Sequence, residues 1–137
     1  MDLPDVIPIA HEPDFRTSTI GRYAQGQFYG DIHGTDIDGL GEITVMLHLF
    51  DHGGVHTGST IRSRIPLDDA DAVLAELLSQ LPDAVFGDIA IRLFQVVQDG
   101  VRFGLVDESH PDRGGASAEL YPQGMGFFPP FDGLYDT

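Results

Sequence analysis

Residues 88–106 read DIAIRLFQVVQDGVRFGLV, and the Asp99-Gly100 pair within them decides the fold class. A two-residue type I′ turn needs φ > 0 at both central positions, which Asp-Gly supplies, and its twist matches that of antiparallel strands. The turn predicts that Gln98 faces Val101, Val96 faces Phe103 and Phe94 faces Leu105. Those apolar pairs share one face. The opposite face carries Ile89, Ile91, Leu93, Val97 and Val106, so the pattern allows cover on both faces and a central place in a sheet.

Working outward, residues 107–117 (DESHPDRGGAS) form a polar loop. The tail that follows, AELYPQGMGFFPPFDGLYDT (118–137), is rich in aromatic residues and proline. Phe127, Phe128, Phe131 and Tyr135 are a large apolar load for water, so the tail is expected to lie along the body and bury them. The alternative makes these four rings an exposed interface.

Upstream, Pro66-Leu67-Asp68 opens a helix expected over about 68–81, with Asp68 as N-cap. Ala70, Val73, Leu74, Leu77, Leu78 and Leu81 recur at i, i+3, i+4, i+7, i+8 and i+11, one apolar stripe, and Pro82 stops it. Before the helix come two more hairpins. TIGRYAQGQFYGDIHG (19–34) turns near Gln25-Gly26, and EITVMLHLF (42–50) pairs with a strand from Val55 to Arg64. Residues 35–41 read as a loop. Residues 1–19, with Pro4, Pro8 and Pro13, read as irregular. The expected architecture is α+β in one domain, 1–137. It is an antiparallel sheet of about six strands built from three hairpins, with the helix packed on it, an irregular N-terminus and an aromatic C-terminal tail.

The most chemical-looking stretch is HLFDHGGVH (48–56). His48, His52 and His56 recur every four residues, which suggests a metal-binding face, but Gly53-Gly54 denies a helix. In strand 42–50 the odd positions Ile43, Val45, Leu47 and Leu49 form the apolar face. A three-residue loop His52-Gly53-Gly54, with Gly54 left-handed, keeps the apolar faces of both strands together. It pairs Val45 with Ile61 inside, sets Glu42 against Arg64 outside, and puts His48 and His56 as diagonal neighbours on the outer face. The metal candidates are therefore His48, His52 and His56.

Composition excludes several classes. There is no cysteine, so no disulfide, thiol nucleophile or thiolate metal site exists. Seven arginines and no lysine face 22 carboxylate residues, a net charge of -15. Nucleic acids and anionic membranes are bound mainly through basic residues, so neither is an expected partner. A basic protein partner is the one the charge would steer in. The start, MDLPDVIPIAHEP, lacks a basic region before its apolar residues and is broken by prolines, so no export signal is expected and the expected location is the cytoplasm. Six histidines in so acidic a chain are expected to have raised pKa values. No nucleophile elbow, P-loop or dinucleotide fingerprint occurs. His11, Glu12, Asp14 and Arg16 supply acid/base types in an irregular segment, and Asp31 and His33 alternate on a strand.

Four stretches resemble a family of small actinobacterial proteins commonly labelled formate hydrogenlyase regulatory protein. They are HEPDFRTSTIGRYAQGQFYG (11–30), LHLFDHGGVHTGS (47–59), DIAIRLFQVVQDGVRFGLV (88–106) and ELYPQGMGFFPPFDGLYDT (119–137). The resemblance implies a regulatory role and carries no catalytic or binding residue. The expected function is thus a non-catalytic cytoplasmic regulatory or protein-binding module acting through an acidic surface, with no cofactor. The alternative is a metal-binding protein or metal-dependent hydrolase built on the 42–64 hairpin. Sheet edges and the aromatic tail also allow a homodimer.

Overall fold

The Asp99-Gly100 turn forms as read. In a computed structural model, which describes residues 2–35 and 42–137, Asp99 and Gly100 have φ values of 54° and 77°. The pairs Gln98–Val101, Val96–Phe103 and Phe94–Leu105 all stand opposite one another. In chain order the strands are β1 (Ile7–Ile9), β2 (Ile20–Tyr23), β3 (Gly26–Thr35), β4 (Glu42–Phe50) and β5 (His56–Ile65). Helix α1 (Ala70–Ser79) follows, then β6 (Val85–Phe86), β7 (Ile89–Ile91), β8 (Phe94–Gln98), β9 (Val101–Asp107), β10 (Ala118–Tyr121) and β11 (Met125–Phe127).

The class is α+β, and every named strand pair is antiparallel. The expected single sheet of about six strands is corrected. Three sheets form among the described residues, in the orders β5-β4-β3-β2-β6, β11-β10-β9-β8 and β1-β7. Two local events account for the difference. Ile89–Ile91 leaves the 88–106 hairpin and pairs instead with Ile7–Ile9, so the expected irregular N-terminus contains a strand. The tail adds β10 and β11 beside β9. The loop expected at 35–41 lies, apart from Thr35 at the end of β3, outside the described residues.

The five-stranded sheet is the middle layer. On one face Phe28, Ile43, Val45 and Leu47 pack against Ala70, Leu74 and Leu77 of α1. On the other, Ile20, Tyr29 and Phe50 join Ile7, Ile9, Ile89, Ile91, Phe94, Leu105, Leu120, Met125 and Phe127 from the other two sheets. Each of these larger side chains contributes about 1.5–3 kcal/mol by leaving water. The even positions of β4, expected outside, are therefore inside: Met46, His48 and Phe50 are fully buried beneath the second sheet.

Helix α1 reaches the sheet closely because Gly30 has no side chain. A Cβ there would stand 3.1 Å from the Thr19 carbonyl oxygen and 3.2 Å from Leu74 Cδ1. The helix starts slightly later than expected. Leu67–Asp69 is a 3₁₀ turn, so Asp68 lies within it rather than capping α1. Asp69 takes the cap position without a side-chain bond, and Asp71 lies in the first turn, where a carboxylate favours the helix dipole.

The 88–106 hairpin is not central. Strand β8 is the edge of its sheet, and Leu93 and Val97 of the expected second covered face are 43% and 61% exposed. The tail lies along the body. Phe127 is buried, and Phe131 and Tyr135 pack half-buried against the core. Phe128 alone of the four interface candidates stays largely exposed. Among the described residues no helix is long and apolar enough to cross a membrane.

Candidate functional site

The turn at the end of β4 is the expected three-residue loop. Asp51 N–H donates to the Val55 carbonyl at 2.8 Å, and Gly54 has φ +92°. Glycine is required there twice over, because a Cβ would also stand 2.8 Å from the Ala90 carbonyl of β7. Phe50 faces His56, as that loop demands. One residue later the register changes. Thr57 bulges, so Leu49 faces Gly58, His48 faces Ser59, and Val45 faces Arg62 rather than Ile61. At the far end Ile43 faces Ile65, so the expected Glu42–Arg64 pairing does not form.

The bulge brings together what strict alternation would separate. His56 and Ser59 have opposite parity, yet both reach the face of β4 that carries His48 and Phe50. Ser59 Oγ lies 2.6 Å from His48 Nδ1 and 2.8 Å from His56 Nε2. Phe94 stacks on His56 with centroids 4.8 Å apart and meets His48 edge-on at 5.0 Å. Burial, reinforced by the neighbouring His56, pushes the His48 pKa down to about 3. Burial also lowers His56. Both rings are neutral at pH 7, and the Ser59 hydroxyl, with one proton to give, can donate to only one of the two imidazoles. The second nitrogen of His48, Nε2, is buried without a partner.

His52 is exposed on the turn and does not join them. The set His48, His52 and His56 therefore does not assemble. Among the described residues no group of three or more His, Cys, Asp or Glu side chains converges so as to hold a metal ion. The expectation of raised histidine pKa values is also corrected at His33, His48 and His56, where burial lowers them. Loss of hydration outweighs the acidic field at those three rings.

A second polar cluster lies further along the same buried face. Asp31 Oδ2 accepts from Tyr29 OH and from Gln123 Nε2, each at 3.1 Å, and Asp31 Oδ1 accepts from Ile32 N–H at 2.8 Å. Burial raises the Asp31 pKa against those three bonds. Arg16 donates to the Gln123 carbonyl at 2.9 Å. Tyr29 is a neighbour two residues away on β3, whereas Gln123 comes from a distant segment and could not be read as a partner of Asp31 from the sequence. His11 and Glu12, grouped with Arg16 by sequence, instead fasten the N-terminal loop. His11 N–H donates to Asp88 Oδ1 at 2.7 Å, and Glu12 N–H to Thr17 Oγ1 at 3.0 Å. Neither cluster borders the two depressions described below.

The larger depression, about 550 Å³, is lined by Asp2, Leu3, Pro4, Asp5, Arg92, Leu93, Asp107 and Ser109. Three carboxylates thus surround a half-apolar floor with one guanidinium. The Ser109 hydroxyl and then its N–H, at 2.8 Å, hold the Asp107 carboxyl below the usual carboxylate range. Among the described residues the ion pairs are Arg102–Glu108 and His110–Asp112, both at 3.7 Å, so none neutralises Asp2, Asp5 or Asp107. On the far side of the protein Asp68, Asp69, Asp71 and Glu76 of the α1 region are exposed as well.

A comparison of the chain with family models, curated proteins and solved structures finds no match in any of the three.

Proposed function

We propose that this protein is a non-catalytic cytoplasmic regulatory module that binds a basic protein partner through its acidic surface. The observation that carries the reading is the depression of Asp2, Asp5 and Asp107. It places three carboxylates that make no ion pair, beside the single guanidinium of Arg92, around exposed Leu93 and half-buried Leu3. A lysine or arginine can lay its aliphatic stem on leucine while its charged end meets carboxylates. Isolated exposed ion pairs contribute little each, so affinity comes from several such contacts, and charge acts mainly by steering and excluding wrong partners.

The resemblance to the formate hydrogenlyase regulatory label supports a regulatory role in general terms. The metal-centre reading of the 42–64 hairpin has no comparable support, because His52 stands apart from His48 and His56, which meet on Ser59.

The direct test is a titration of isotope-labelled protein with a short peptide of alternating leucine and arginine, followed by NMR. Shifts centred on Leu3, Arg92, Leu93 and Asp107 that fade with added salt are the expected result. Shifts spread evenly over all acidic residues, or none, would contradict it.

A further inference from the structure

The outer face of the four-stranded sheet carries a feature that net charge does not explain. Glu119 and Tyr121 alternate with the buried Ala118 and Leu120 on β10, so both point away from the core. Glu119 stands opposite Gly126 of β11. With no side chain at Gly126, the ring of Phe128 folds over that backbone, where a Cβ would be 2.8 Å from Phe128 Cε2. The result is a notch of about 140 Å³ lined by Glu108, Ser117, Ala118, Glu119, Tyr121, Gly126 and Phe128.

The chemistry of this notch is unbalanced. The Tyr121 hydroxyl has one proton and two carboxylates within its reach, and Glu108 takes it at 2.8 Å. Glu108 is also the carboxylate that Arg102 approaches. Glu119 also reaches that hydroxyl and lines the notch, and among the described residues no ion pair engages it. The same surface already shows what it accepts. Arg102 lies over the Tyr121 ring, its Cζ 4.2 Å from the ring centroid, while its guanidinium stands 3.7 Å from Glu108. An aromatic face beside a carboxylate favours a guanidinium, which is planar, weakly hydrated and able to stack. Phe128 and Glu119 repeat that combination with the arginine missing.

We infer that the notch between Phe128, Tyr121 and Glu119 binds an arginine side chain presented by the partner. This rests on the reading of the protein as a module for a basic partner and gives it a defined anchor, separate from the depression of Asp2, Asp5 and Asp107. In the bound state the guanidinium lies against the Phe128 ring and donates to the Glu119 carboxylate. Loss of either wall weakens it about fivefold.

The test uses the full chain, isotope-labelled, titrated with Nα-acetyl-arginine methylamide and with its neutral isostere Nα-acetyl-citrulline methylamide. The arginine derivative is expected to shift the resonances of Glu119, Tyr121, Gly126 and the Phe128 ring, and the citrulline derivative to leave them in place. Glu119→Gln and Phe128→Ala should each weaken the response about fivefold. Equal responses to both probes, or an unchanged response in Glu119→Gln, would overturn the inference. Arginine shifts confined to the Asp2, Asp5 and Asp107 depression would overturn it too, and would leave the basic-partner reading standing. Shifts at the notch from the small probe, with no binding of any basic peptide, would support the notch and remove the proposed function.

Discussion

His48 Nδ1 and Ser59 Oγ stand 2.6 Å apart across β4 and β5, and the second nitrogen of that ring finds no partner. The ring is neutral by burial, and this fixes a pH dependence. An unfolded imidazole titrates near 6.5, whereas folded His48 titrates at about 3. The folded value is depressed, so the unfolded chain takes the proton first as pH falls. Stability from this group is complete above pH 6.5 and is lost progressively toward pH 3. His33 and His56 act in the same direction. Asp31, with its raised pKa, acts in the opposite one. Comparing wild type with His48→Phe cancels the other groups to first order. Urea denaturation at pH 7 and pH 5 should show wild type losing about 2 kcal/mol more than the variant. Equal losses would show that His48 is not held neutral.

Gly30 and Leu74 are coupled through space. Gly30→Val should cost about 1–3 kcal/mol, because its side chain meets both the Thr19 carbonyl and Leu74. Leu74→Ala should cost about 2–5 kcal/mol by opening a cavity under α1. The double variant should be more stable than the sum of the two losses implies, since the valine enters the space that leucine vacates. Simple additivity in thermal or urea unfolding would mean that the helix does not rest on Gly30.

Gln27 stitches three segments. Its Nε2 donates to the Ala90 carbonyl at 2.9 Å and to the Asp51 carbonyl at 3.2 Å, while its Oε1 accepts from Ala90 N–H at 2.7 Å. Gln27→Leu keeps the bulk and strands those backbone groups. It should cost about 3 kcal/mol and speed hydrogen exchange at Ala90. A loss below about 0.5 kcal/mol with Ala90 still protected would refute that role.

Gly104 and Gly100 flank the same hairpin but should differ. Gly100 sits in open space at φ +77°, so Gly100→Ala should cost about 1 kcal/mol. At Gly104, with φ +144°, a Cβ would run into the Phe94 carbonyl oxygen and come within 2.9 Å of Gln95 Cα. Gly104→Ala should therefore separate β8 from β9 and lower the melting temperature well beyond Gly100→Ala. Similar melting temperatures would contradict the packing described here.

The elements with one local signal were legible in the sequence. Asp99-Gly100 gave its hairpin and register, Gly54 its left-handed turn, and the Ala70–Leu81 stripe the helix. What failed depended on events of one residue or on distant partners. The bulge at Thr57 shifts the ladder without a composition signal, which turned Val45 from Ile61 to Arg62. The layer over β4 is assembled from the 94–107 hairpin, the tail strands and the Ile7–Ile9 pairing with Ile89–Ile91, so the buried side of His48 could not be read from β4 alone. The same holds for the sites. The depression draws on residues 2–5, 92–93 and 107–109, and the notch needs Phe128 to fold over Gly126.

The central claim is tested most directly by capture from a native lysate at low salt, using immobilised wild type beside the triple variant Asp2→Asn, Asp5→Asn, Asp107→Asn. All three residues are exposed, and asparagine at 107 keeps an acceptor for Ser109 N–H. A basic protein held by wild type, released by added salt and lost from the triple variant is the predicted result. Recovery of the same proteins in equal amounts by both, or of none at low salt, would contradict the account.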